Sequence, residues 1–163
     1  MGATSPWGAA VPAEWWERLA ARLIEALVFG VFYYILFIAL WSIFRTVGMM
    51  EDVQGRLPGL FAWFLAGLAY ALYDWRAHSR DGRTFGKRIM RIHLVPQEPG
   101  GTAALLKRSL LYPGTAMVMG IPVVNLLAGM LVFGGGLLIL MDKPLQRGPH
   151  DRLAGTLVVK DLR

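Results

Sequence analysis

Three charged residues share one face of an apolar helix near the start of the sequence. Arg18, Arg22 and Glu25 are spaced at i, i+4 and i+7, which places their side chains on the same side of an α-helix. A charged side chain inside a bilayer is costly and normally faces a helix bundle, a watery cavity or an ionic partner. Two interpretations follow: Glu25 binds a cation or relays a proton, or it is the structural ion-pair partner of an arginine at the membrane interface.

Three more acidic residues lie where they could meet such a cluster. Asp151, in the segment His150-Asp151-Arg152, could cap a short helix or bind an arginine of the first helix. Asp74 and Asp142 each lie where an apolar run meets a basic segment, which favours salt bridges at helix ends. We therefore treat Arg22, Asp74 and Asp142 as supporting charges.

The composition indicates the class of structure that positions these residues. Of 163 residues, 55% are hydrophobic and only 17% are charged, and the mean hydropathy is +0.45. These values are typical of an all-α membrane protein rather than a soluble domain. The sequence has no cysteine, its three histidines lack metal-ligand spacing, and no nucleophile, base and oxyanion donor come together. We expect no enzymatic activity, no metal site and no cofactor.

Apolar runs predict the helices. Residues 26–44 carry no charge, and at ~1.5 Å per residue this length matches the roughly 30 Å hydrocarbon layer. The pattern predicts a first helix over about 14–44 and a second over about 57–75. Residues 102–141 allow two interpretations: an interfacial helix followed by one crossing, or a hairpin with helices at about 104–120 and 123–141.

The distribution of charge favours the hairpin. Residues 76–108 contain eight lysines and arginines against two acids, and the tail from residue 142 contains five more basic residues. Basic segments favour the cytoplasmic side, so an even number of crossings follows. The sequence predicts one membrane domain over residues 1–163, with about four transmembrane helices in two hairpins and both termini cytoplasmic. The cytoplasmic parts are a basic loop at 76–103 and a tail at 142–163.

The cytoplasmic segments carry two further signals. The β-branched runs at 91–95 and 156–159 are bounded by turn residues and predict a short two-stranded ribbon. Arg83, Lys87 and Arg88 lie in a glycine-containing turn that departs from the phosphate-binding loop pattern. We expect these three residues to contact anionic lipid headgroups. The formal charge of +6 is explained by lipid and topology, and we expect no nucleic-acid partner.

Three segments together carry a resemblance to a known family. They are Arg18-Leu19-Ala20-Ala21-Arg22-Leu23-Ile24-Glu25, Gly82-Arg83-Thr84-Phe85-Gly86-Lys87-Arg88 and His150-Asp151-Arg152-Leu153-Ala154-Gly155-Thr156. In these segments the sequence resembles the RDD family of bacterial integral membrane proteins, named for one arginine and two aspartates. The resemblance assigns Arg18 to the family arginine and Asp151 to the second aspartate. Glu25 stands at the first aspartate position, which keeps the negative charge but changes its reach.

The resemblance implies a multi-pass protein of the bacterial cytoplasmic membrane but leaves two functions open. In the first, Arg18, Glu25 and Asp151 form an ion or proton site, and Glu25 exchanges a proton for a monovalent cation or another small solute. Four short helices are few for an exchanger, so this function calls for a homo-oligomer. In the second, the protein is a non-catalytic accessory or assembly subunit of a larger membrane complex, and the charges are structural.

Overall fold

The computed structural model describes residues 10–49, 56–96, 101–143 and 145–161, most of which are helical. Three long helices dominate this part of the chain, and four short elements and a two-stranded ribbon complete it. In chain order the elements are α1 (Trp15–Thr46), α2 (Arg56–Asp81), α3 (Phe85–Ile89), β1 (Ile92–Pro96), α4 (Gly101–Leu111), a 3-10 helix (Gly114–Val118), α5 (Pro122–Met141), α6 (Pro149–Leu153) and β2 (Thr156–Lys160).

Three helices of the described residues are long and apolar enough to cross a membrane: α1, α2 and α5. The chain is therefore a multi-pass membrane protein, as its sequence predicts, but the predicted count of four transmembrane helices is not confirmed. The helix predicted over 104–120 is divided between α4 and the 3-10 helix. Pro113 lies between the two, and a proline has no backbone N–H to continue a helix. The 11 residues of α4 rise only about 16 Å, too little to cross a bilayer.

The segment after α4 nevertheless runs along α2. Gly114 lies against Ala71, and Gly120 lies against Leu60 and Trp63, about three helical turns away. Between these contacts Gly67 meets the backbone of Met117 so closely that a Cβ would come within 2.4 Å of it. Irregular backbone at membrane depth is tolerated where protein buries it, and here α2 covers it.

The two-stranded ribbon is confirmed. Strands β1 and β2 pair antiparallel, with Leu94 opposite Val158. The residues before α1 join the ribbon, because the Ala13 amide donates to the Val158 carbonyl at 2.9 Å. A small apolar core lies where the ribbon meets α1, formed by Ala13, Ala21, Ile92, Leu94 and Val158. The ribbon therefore attaches the basic loop and the tail to the start of α1. We use the name ribbon end for the part of the molecule formed by β1, β2 and the start of α1.

Helix α2 is the central helix of the membrane part. In its most apolar 18-residue window 39% of the residues are buried, against 6% in the corresponding windows of α1 and α5. The small residues Ala62, Ala66 and Gly67 are among its buried positions, and small residues of this kind allow another backbone to approach a helix closely. Helix α5 has one buried residue, Ala128, among its 20. Helices α1 and α5 therefore present apolar surface to lipid along most of their length.

Candidate functional site: a buried charge network

The charged face predicted on α1 points into the protein. Arg18 and Glu25 are among the buried residues of α1, together with Ala21 between them, and Glu25 is only 1% exposed. The side chain of Arg22 is 13% exposed and lies in contact with the same acids. These residues lie in the first third of α1, where α2, α3 and the ribbon end pack around it.

Arg18 binds Asp151, and it also binds backbone carbonyls. Its Nη1 lies 3.4 Å from the Asp151 carboxylate. Its guanidinium also donates to the carbonyls of Ala13 at 3.1 Å and Val158 at 3.0 Å, and to those of Leu145 and Gln146 before α6. Arg18 therefore connects the start of α1 to β2 and to the segment that precedes α6.

Asp151 both caps a helix and pairs with arginines, so both predicted interactions are present. Its Oδ2 accepts from the Gly148 amide at 3.3 Å at the start of α6, and its Oδ1 accepts from Arg108 Nε at 3.1 Å. Burial raises the pKa of this carboxyl, but His150 and the guanidinium groups of Arg108 and Arg18 outweigh burial and hold the pKa below its usual range. Asp151 is therefore ionised at neutral pH.

Asp74 joins three helices. Its carboxylate is fully buried and accepts from Arg22 of α1 at 2.7 Å. From α4 it accepts bonds donated by Ser109 at 2.7 Å and Arg108 at 3.3 Å. Arg108 thus lies between Asp74 and Asp151 and donates to both, at 1% exposure. The hydrogen bonds of Asp74, Arg108 and Asp151 therefore connect α1, α2, α4 and α6, and they are charge-assisted.

Glu25 is held by three donors. Arg22 donates at 2.8 Å and the Tyr70 hydroxyl at 2.9 Å, and the buried hydroxyl of Thr84 also donates. Thr84 immediately precedes α3, whose close approach to α1 depends on Gly86, because a Cβ there would meet the backbone oxygen of Ala21. The segment 82–88, which resembles the family motif, thus supplies a donor to Glu25.

The lipid contact predicted for Lys87 is wrong. Lys87 is 3% exposed, and its Nζ lies 2.6 Å from Nε2 of His78, whose Nδ1 in turn lies 3.1 Å from the Asp74 carboxylate. Burial lowers the pKa of the Lys87 ammonium well below its ordinary value, and the nearby charges of Arg108 and Arg22 lower it further. The five-residue helix α3 has one buried face and one exposed face. Lys87 lies on the buried face.

The other predicted basic contacts are on the surface. The side chains of Arg83 and Arg88 are 39% and 58% exposed. Arg83 pairs with Asp161 at 3.0 Å, and Arg88 pairs with Asp81. Their contact with lipid stays a prediction.

Asp142 lies outside the group formed by Asp74, Asp151 and Glu25. It follows the last residue of α5, and its carboxylate pairs with Arg147 at 3.1 Å and with Arg152 at 2.7 Å. The structure therefore places it in a separate set of ion pairs near the surface.

Within the part of the chain that the structure describes, this network contains more basic than acidic groups. We use the name charge network for the buried side chains and their donors described above: Arg18, Arg22, Glu25, Tyr70, Asp74, His78, Thr84, Lys87, Arg108, Ser109 and Asp151. Four of them are lysine or arginine and three are carboxylic acids. Among the described residues, no group of three His, Asp and Glu side chains is arranged to hold a metal ion.

Several network members were not predicted as site residues. Arg108 and Ser109 lie in a segment treated as a membrane hairpin, and Tyr70 lies in an apolar run. His78 and Thr84 lie in the basic segment, where the charged neighbours gave the signal and these two residues did not. One signal was available in the sequence: Arg108 interrupts an apolar run, as Arg22 does, and such a residue calls for an ionic partner.

Comparison with known proteins identifies the family. The model of the RDD family matches residues 12–155, most of the chain. The chain belongs to the RDD family. No curated protein and no solved structure matches it. These matched residues include every member of the charge network of this RDD protein.

Proposed function

We propose that this RDD protein is a non-catalytic accessory or assembly subunit of a larger membrane complex. In this proposal the charge network is a structural connection that holds the ribbon end together. The observation that carries the proposal is the pairing of all three acids: Glu25, Asp74 and Asp151 each accept hydrogen bonds from an arginine and from at least one further donor.

This pairing favours a structural role over ion binding. A transported cation needs oxygen atoms that it can reach and that have no permanent cationic partner. The two oxygens of Asp74 are bound by Arg22 and by Arg108 with Ser109, and those of Asp151 by Arg18 and Arg108. A cation would have to displace buried arginines, and an unpaired buried charge is costly.

The apolar helices supply the surface that a subunit needs. Helix α5 has a single buried residue, and α1 is largely exposed beyond Glu25. Lipid or a partner helix can cover such faces, and membrane helices associate through packing of this kind. We place the protein in the bacterial inner membrane with both termini cytoplasmic, since α1 begins and α2 and α5 end toward the basic ribbon end.

Mass determination after gentle extraction tests the subunit proposal. The tagged full-length protein is solubilised from its native membranes, and the mass and composition of the purified particle are measured. We expect a stoichiometric membrane protein partner to co-purify. A particle that contains only copies of this chain, at the same yield and after crosslinking in the membrane, contradicts the proposal.

A second candidate, proton-coupled transport of a monovalent cation, is favoured by one specific contact. Lys87 and His78 are titratable, touch each other at 2.6 Å, and connect through Asp74 and Arg22 to Glu25. Burial lowers the pKa of Lys87 well below its ordinary value, so the proton of its ammonium group is weakly held. Such a chain of groups is typical of proton relays in membrane proteins.

Reconstitution tests the transport candidate with a matched pair of variants. Glu25→Gln removes the buried acid, whereas Glu14→Gln removes an acid of the same helix start whose side chain is 53% exposed. Transport predicts pH-gradient-driven cation flux in vesicles that is lost in Glu25→Gln and kept in Glu14→Gln. The subunit proposal predicts that wild-type vesicles give no more flux than empty ones.

A further inference from the structure

A basic groove lies at the ribbon end, where α2 ends and α3 begins. It has a volume of about 430 Å³, and its lining includes Arg76, Arg80, Arg83, Arg88, Tyr73 and Phe85. Four arginines thus surround one opening, and Asp81 is the acid that lines it with them. The groove is on the outside of the molecule and is separate from the buried pairs of Asp74, Glu25 and Asp151.

Two of the four arginines have no acidic partner among the described residues. Arg83 pairs with Asp161 and Arg88 pairs with Asp81, whereas Arg76 and Arg80 form no ion pair in the described ranges. Arg76 and Arg80 are exposed and lie at i and i+4 on α2, so their guanidinium groups are on the same face of that helix. The groove therefore carries the positive charge of Arg76 and Arg80, which no acidic side chain among the described residues neutralises.

An apolar edge adjoins this charge. In α3, Gly86 and Lys87 are buried, whereas Phe85 is 54% and Ile89 is 53% exposed. Phe85 and Ile89 lie one turn apart, so they form one outward apolar face beside the groove. The helix that carries Arg76 and Arg80 is a candidate membrane span, and these arginines lie in its last turns. Apolar and basic side chains together at the end of a span match the headgroup layer of a bilayer.

We propose that this groove binds the headgroup phosphate of an anionic phospholipid. Arg76 and Arg80 contact the phosphate, and Phe85 and Ile89 lie against the glycerol and acyl region. A soluble anion would use the arginines but would gain nothing from the two exposed apolar side chains. A zwitterionic lipid would fit the apolar edge but would leave the positive charge unbalanced. The inference goes beyond the proposed function, because neither a subunit nor a transporter requires a lipid site here.

Two double variants remove equal charge at opposite ends of the long helices. Arg76→Gln with Arg80→Gln removes the unpaired arginines of the groove. Arg45→Gln with Arg56→Gln removes one arginine from the end of α1 and one from the start of α2, away from the groove. All four side chains are exposed, so neither pair disturbs the packing of the protein.

The experiment measures lipid retention by the full-length protein. Purified, delipidated protein is mixed with phosphatidylglycerol or phosphatidylcholine in detergent, and bound lipid is counted by native mass spectrometry. We expect one phosphatidylglycerol to be retained more tightly than any phosphatidylcholine. Each exposed arginine near a phosphate contributes about a fivefold effect, so the groove variant, which lacks two arginines, loses about 25-fold in affinity for phosphatidylglycerol. The control variant keeps the affinity of the wild type.

Three outcomes overturn the proposal. Equal retention of the two lipids shows that the charge is not used, and equal losses in both double variants show that only net charge matters. In a third arm inorganic phosphate is added as a competitor to protein that has phosphatidylglycerol bound. If it competes with phosphatidylglycerol as well as a soluble phosphatidylglycerol analogue with short acyl chains does, the groove is a site for a free anion. A further variant, Phe85→Ser, should weaken binding of phosphatidylglycerol and leave the affinity for inorganic phosphate unchanged.

Discussion

The first third of α1 and the rest of that helix differ in what surrounds them. All buried residues of α1 lie between Glu17 and Glu25, and three of these four residues are charged. From Ala26 to Phe44 the helix has no charge and none of its residues is buried. One continuous helix is thus packed through ion pairs at one end, whereas at the other it exposes apolar side chains and contacts α2 through aromatic rings. The specific tertiary structure of this protein is concentrated where the charges are.

This difference between the two parts of α1 predicts that replacing Asp74 causes the largest loss of stability. Asp74→Ala leaves Arg22 and Arg108 without a shared carboxylate in a buried site, which costs about 3–5 kcal/mol. The control is Asp81→Ala, which removes an acid whose side chain is 53% exposed. Thermal and denaturant unfolding in detergent measure both variants. Equal stability of the two would show that the network does not hold the helices together.

The next largest effect concerns glycines rather than charges. Gly67→Ala forces a Cβ against the Met117 backbone, and we expect a loss of about 1–3 kcal/mol from overpacking. Gly30→Ala, in the exposed part of α1, meets no atom within 4 Å and should gain about 0.5–1 kcal/mol of helix stability. Unfolding midpoints of both variants test whether α2, and not α1, is the packed helix. A gain in both would contradict this.

A smaller effect comes from the buried lysine and depends on pH. The pKa of Lys87 is lowered by burial and by the neighbouring Arg108 and Arg22, so the unfolded chain binds a proton that the folded chain holds weakly. Stability therefore rises as pH increases from the folded pKa toward the unfolded pKa, by up to about 1.4 kcal/mol per pH unit. Lys87→Met should remove this rise.

Lys107→Met is the matched control for the pH series, because Lys107 is an exposed lysine of α4. Unfolding free energies of the wild type and both variants are measured from mildly acidic to mildly alkaline pH. If Lys87→Met keeps the slope of the wild type, Lys87 is not the group that titrates.

The smallest effect compares a buried threonine that immediately precedes α3 with an exposed threonine at the end of α1. Thr84→Val removes one of three donors to Glu25, and we expect a loss of about 1 kcal/mol. Thr46→Val removes a hydroxyl that donates to the Ser42 carbonyl at 2.9 Å in an exposed position, and the change should be within about 0.5 kcal/mol. A larger loss in Thr46→Val than in Thr84→Val would reverse the comparison.

The sequence predicted the structure best where a regular pattern of residues lies in one uniform environment. Uncharged runs predicted the long helices because lipid imposes one requirement along their length, and β-branched residues between turn signals predicted the ribbon. The spacing of Arg18, Arg22 and Glu25 predicted a charged face because helix geometry alone decides it. The family motifs were also recognised from the sequence, and the family is confirmed.

The sequence was least informative about which charges meet. Lys87 and Arg88 are adjacent basic residues, and only the packing of α3 on α1 through Gly86 decides that the first is buried and the second exposed. Arg108 finds Asp74 and Asp151 from distant parts of the chain, and no local pattern records that contact. The break between α4 and the 3-10 helix also depends on tertiary structure, since burial of Arg108 requires α4 to stay at the ribbon end.

A double-mutant cycle between α1 and α2 tests the structural role of the network most directly. Arg22→Met, Asp74→Asn and the double variant are compared with the wild type by unfolding free energy in detergent, since these side chains meet at 2.7 Å. We predict a coupling of about 1–3 kcal/mol, with the double variant less destabilised than the two single losses combined. If the two losses add without coupling, this ion pair does not hold α1 to α2 and the structural role is contradicted.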